Sequence, residues 1–138
     1  MKRWLIILAL APSFGFAQLS DDFTDGDFTN APTWSGDDAK FEVLASELHL
    51  NAPAATDVAY LSTPSLAIEG AVWEFYVRLE FNPSSSNRAY VYLVSDQANL
   101  NGPLNGYYVM VGNTADEVSL YRQDGGSSVK IIDGVDGT

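Results

Sequence analysis

The sequence predicts an all-β protein, an antiparallel β-sandwich of the jelly-roll type, and three observations lead there. Period-2 alternation of apolar and polar residues recurs along the chain, and no 3.6-residue helical pattern persists beyond the first residues. One stretch shows the alternation cleanly: Trp73, Phe75, Val77, Leu79 and Phe81 interleave with Glu74, Tyr76, Arg78 and Glu80. Turn signals recur about every 8–12 residues, the spacing of sandwiches and barrels.

The chain opens with Lys2 and Arg3, then the apolar run 4–11, which Pro12 breaks. That run is too short to span a bilayer. Gly15-Phe16-Ala17 follows, with small residues where signal peptidase reads, so residues 1–17 read as a cleaved secretory signal and 18–138 as the module. Without Lys2 and Arg3, five basic side chains face 18 acidic ones. Such a surface repels nucleic acid and anionic lipid and suits neutral or divalent partners. The expected location is secreted or at the cell surface, with no membrane span after signal cleavage. The absence of cysteine excludes thiolate nucleophiles and Cys-ligated metals, and the single histidine, His49, excludes multi-His zinc sites.

Strands are expected at 40–44 and 47–51, linked by Ala45-Ser46, and at 58–63. The run 73–81 would lay five apolar side chains on a core and keep the charged set wet. Asn82 to Asn87 is a polar loop, and 88–95, apolar on both faces, reads as a central strand. The span 97–104 has room for a helical turn. Strands are expected at 106–111 and 117–122, then a tight turn at 123–126 and a last strand from Val129. No internal repeat or second domain is visible.

Three stretches carry a resemblance. Asp21-Asp22-Phe23-Thr24-Asp25-Gly26-Asp27-Phe28, followed by Thr33-Trp34-Ser35-Gly36, resembles the opening of concanavalin A-like (laminin G-like) jelly-roll modules. Glu47 to Asn51 with Ala59 to Pro64 resembles their early hairpin. Asn105 to Gly112 with Val118 to Arg122 resembles their middle strands. The likeness is closest to modules near the N-terminus of exported and cell-surface bacterial proteins. Those run longer, so the resemblance implies that this chain is the first part of one, without the late strands of both sheets.

Candidate chemistry is sparse. Glycoside hydrolysis needs two carboxyl groups roughly 5–9.5 Å apart, whereas Glu74 and Glu80 fall about 20 Å apart on a strand, with Arg78 between them. No G-x-S-x-G elbow is present, and His49 reads as a surface side chain on a strand. The acidic opening is the candidate ion site. Asp22, Asp25 and Asp27 are the expected ligands of a structural calcium, set against the plain reading that Asp and Gly make turns. Tyr76, Tyr90 and Tyr92 are the candidate ligand-stacking aromatics, and Trp73 is expected in the core. The leading expectation is a non-catalytic binding or adhesion module for a polysaccharide or surface glycan. A structural or partner-docking spacer, and a glycan-active enzyme with its catalytic part beyond residue 138, stay open.

Overall fold

A computed structural model describes residues 19–137. The expected signal peptide lies outside the described residues. The fold is all-β, with every strand pairing antiparallel. The strands are β1 (Ser35–Gly36), β2 (Phe41–Leu44), β3 (Glu47–Leu50), β4 (Leu61–Ser62), β5 (Ala89–Ser95), β6 (Leu104–Gly112), β7 (Glu117–Gly125) and β8 (Ser127–Ile132). One 3-10 turn, Asp38–Lys40, leads into β2. Strands β1 and β4 form one small sheet and β2 and β3 a second, while β5-β6-β7-β8 is a four-stranded meander.

The local chemistry explains most of these elements. Ala45 and Ser46 both take positive φ, 53° and 62°, so the β2–β3 hairpin closes in the doubly left-handed manner that matches strand twist. Asn113 and Asp116, also at positive φ, bracket the β6–β7 turn. That turn fixes a register running from Gly112 opposite Glu117 to Leu104 opposite Gly125. Strand β7 runs through Gln123 and Asp124 to Gly125, further than the sequence reading placed it, and the hairpin to β8 turns on Gly125-Gly126. The reason is that Gly125, at φ 61°, takes the left-handed position and frees Gln123 and Asp124 to pair with Ser128 and Ser127. The span 97–104 holds bends rather than a helical turn: Asp96 accepts hydrogen bonds from the Asn105 backbone and side-chain amides and closes it as a loop.

A bulge interrupts β5 between Tyr92 and Val94. Just past it Gly106 pairs with Ser95, and any Cβ there would collide with the Val94 carbonyl. Glycine is required there by close backbone approach, and the bulge re-aims the end of β5.

The core lies on one face of the meander. On β6, Leu104, Tyr108 and Met110 are buried and alternate with exposed Asn105 and Tyr107. Across from them on the same face, β7 contributes Glu117, Ser119, Tyr121 and Gln123. Glu117 is only 2% exposed and is held by Lys130 Nζ at 2.6 Å, from β8. The Ser119 hydroxyl accepts the Gly134 N–H at 2.8 Å. Among the described residues no helix is long and apolar enough to cross a membrane.

One expectation fails. The run 73–81 forms no paired strand, although its alternation is the cleanest in the sequence. Trp73, Phe75 and Phe81 are 42%, 46% and 43% exposed, so Trp73 is not a core residue and this is not the core face. The alternation survives only as a bias: Val77 and Leu79 are half-buried, whereas Tyr76 and Val72 are largely exposed. Alternation specifies two faces, but burial needs a second layer and strand pairing needs a neighbour. Neither is supplied to this run by the other described residues. The expected strand at 58–63 shrinks likewise to Leu61–Ser62, pinned by Asp37 to Tyr60 hydrogen bonds in both directions.

Candidate functional site

The register of the meander assembles a row of tyrosines. Tyr92 on β5 lies opposite Tyr108 on β6, and Tyr108 opposite Tyr121 on β7. The Tyr108 and Tyr121 rings stack with centroids 5.2 Å apart and planes 2° from parallel. The Tyr92 ring tilts against Tyr108 at 5.0 Å, and Tyr90 meets Tyr108 edge-on at 5.1 Å. Such contacts fix ring orientation through the aromatic quadrupole as well as by burial. Arg88 lies over the Tyr90 ring at 5.4 Å and donates from Nε to its hydroxyl.

An open cavity of about 260 Å³ adjoins this row. Tyr90, Tyr92, Tyr108, Val58 and Leu100 give it apolar and aromatic walls, and Asn101, Gln123 and Ser128 line it with polar groups. The Tyr92 hydroxyl donates to Gln123 Oε1 at 2.6 Å, and Gln123 Nε2 in turn donates to the Gly125 carbonyl at 3.0 Å. That chain fixes the Gln123 amide against the cavity. Burial, followed by the neighbouring Tyr108 and Tyr90 phenols, pushes the Tyr92 hydroxyl up to about 12. Burial likewise raises Tyr108. Both stay neutral donors across the physiological range. Among the described residues no carboxylate or histidine lines the cavity.

Of the expected stacking residues, the structure brings Tyr90 and Tyr92 together. Tyr76 stands apart from the cavity lining, 78% exposed on the unpaired run. Sequence reasoning missed Tyr108, Tyr121 and Gln123 as partners. The signal was present in the β6–β7 turn, because a turn at 113–116 puts Tyr108 opposite Tyr121 by simple register.

The acidic opening folds as a series of Asx turns. Each of its carboxylates closes its own turn two residues on. Asp22 accepts from the Thr24 N–H and hydroxyl, Asp25 from the Asp27 N–H, and Asp27 from the Thr29 N–H and hydroxyl. These bonds hold the Asp22 and Asp27 carboxyls below their ordinary value. Asp21 accepts from the Phe23 N–H and, through its other oxygen, from the Trp34 indole N–H at 2.8 Å. Among the described residues no group of three or more acidic or histidine side chains is arranged to hold a metal ion. Asp22, Asp25 and Asp27 each engage Oδ1 in these local turns. Melting curves with calcium and with chelator are expected to coincide. A chelator-dependent drop in the midpoint would restore an ion to this loop.

His49 is half-buried on β3, with Nε2 3.5 Å from a Glu47 carboxylate that also receives Arg78 at 2.9 Å. That group ties β3 to the run 71–81 and lacks a nucleophile.

No protein-family model, curated protein or solved structure matches this chain.

Proposed function

We propose that this chain is a non-catalytic binding or adhesion module of an exported protein, taking a neutral carbohydrate at the tyrosine-lined cavity. One observation carries the reading: aromatic walls from Tyr90, Tyr92 and Tyr108 meet amide and hydroxyl groups from Asn101, Gln123 and Ser128 around one open cavity. A pyranose ring presents an apolar face and a rim of hydroxyls, and aromatic walls with neutral donors and acceptors complement both. A cavity just below the usual range for small-ligand sites, roughly 300–1,000 Å³, suits one or two sugar units. The acidic surface disfavours anionic polymers and leaves neutral glycans as the matching class.

The test is a glycan array, followed by titration of the best neutral hit. Tyr90→Ala is expected to weaken binding roughly tenfold, by removing one aromatic wall. Tyr76→Ala is expected to leave it unchanged. Equal affinity in the Tyr90 variant, or no hit on the array, would favour a purely structural or partner-docking sandwich.

A further inference from the structure

The run 71–81 is the least satisfied part of the chain. Among the described residues it forms no ladder with any strand, and Trp73, Phe75, Tyr76 and Phe81 are exposed along it. Unpaired backbone beside apolar side chains is a template for adding a strand. The order of charges along the run says which strand fits.

We propose that 71–81 pairs antiparallel with the same run of a second copy, about a two-fold axis at Tyr76. In that register Glu74 of each copy lies opposite Arg78 of the other, and Tyr76 lies opposite Tyr76. On the opposite face Phe75 meets Val77, Trp73 meets Leu79 and Ala71 meets Phe81. Every apolar residue of that face then has an apolar partner, and both Glu74–Arg78 pairs are of opposite sign.

The neighbouring registers are worse for stated reasons. An axis at Val77 sets Glu74 against Glu80 twice, and like charges directly opposite destabilise a ladder. Moving the register by a single residue places the apolar face against the charged one. A parallel in-register pair stacks Glu74 on Glu74 and Arg78 on Arg78. Arg78 can serve the new contact while keeping its present ones. Its links to Glu47 and Glu80 both run through one terminal nitrogen, and the guanidinium has five N–H donors. A two-fold contact of this kind uses the same patch on both copies.

The purified protein is expected to sediment as a concentration-dependent dimer, with amides of 71–81 protected from hydrogen exchange only in the dimer. Glu74→Arg sets two arginines against each other at both ends and is expected to weaken the dimer on the order of tenfold. Glu74→Arg combined with Arg78→Glu reverses both pairs and is expected to restore it. Circular dichroism of each variant, matching the parent, separates lost pairing from lost folding. A monomer at every concentration overturns the proposal, and so does a dimer indifferent to Glu74→Arg or one not rescued by the double exchange.

Discussion

Lys130→Met is expected to cut stability by as much as deleting a core side chain, although Lys130 itself lies at the sheet margin. Glu117 is 2% exposed, and the Lys130 amine 2.6 Å away is the cation beside it. Removing the amine takes away the cation that the buried Glu117 carboxylate is paired with. A buried ion pair adds little net stability over an apolar pair, but an orphaned member costs far more than the pair was worth. The double variant Lys130→Met, Glu117→Leu is therefore expected to recover most of the loss. Urea unfolding of the parent, the single and the double variant measures this. A single variant as stable as the parent would mean that water reaches Glu117.

The same cluster sets a pH window. Lys130 titrates above its ordinary value, chiefly through its hydrogen bond to Asp133 and next through Glu117. Its contribution is complete below about pH 10, the unfolded value, and is lost as pH rises through the higher folded value. Asp133 titrates below its ordinary value because of Lys130. Its contribution is complete above about pH 4 and is lost as pH falls through the lower folded value. Stability from this cluster is expected to be flat between those limits and to fall outside them. Lys130→Met should remove this cluster's share of the alkaline limb and leave that of Tyr92 and Tyr108, which are also raised.

Much of the β-structure was legible because it is locally specified. The β2–β3 hairpin follows from two apolar runs a two-residue link apart, and the meander follows from alternation bounded by Asn113 and Gly125. The failures have one physical cause. Trp73 to Phe81 has the strongest strand pattern in the chain, yet pattern says only which side chains share a face. Whether that face is buried depends on a neighbour that local sequence does not specify. The candidate site divides the same way. Tyr90 and Tyr92 were legible as a period-2 pair, whereas Tyr108 and Tyr121 join them only through cross-strand register. Dense carboxylates in the opening read either as an ion site or as turn formers; the Asx turns engage one oxygen of each of Asp22, Asp25 and Asp27, and composition alone does not distinguish the two uses.

Tyr108→Ala is expected to destabilise the protein by about 3–5 kcal/mol, the cost of emptying a buried aromatic site. Tyr108 is 6% exposed and its ring touches Tyr90, Tyr92 and Tyr121, so its loss removes burial and three ring contacts together. Against a total stability of about 5–15 kcal/mol, that is a loss of a large share of the whole. Two controls isolate the cause. Tyr108→Phe keeps the ring and removes only the hydroxyl, so it is expected to cost about 0.5–1.5 kcal/mol. Tyr107→Ala deletes the adjacent tyrosine on the opposite face, which is 41% exposed, and is expected to cost much less than Tyr108→Ala. The ordering of these three variants in urea unfolding decides which face of the meander is the core. If Tyr107→Ala proves the more damaging, the valine-rich face of Val91, Val109 and Val111 is the buried one. The tyrosine row would then be a surface platform rather than the floor of a cavity.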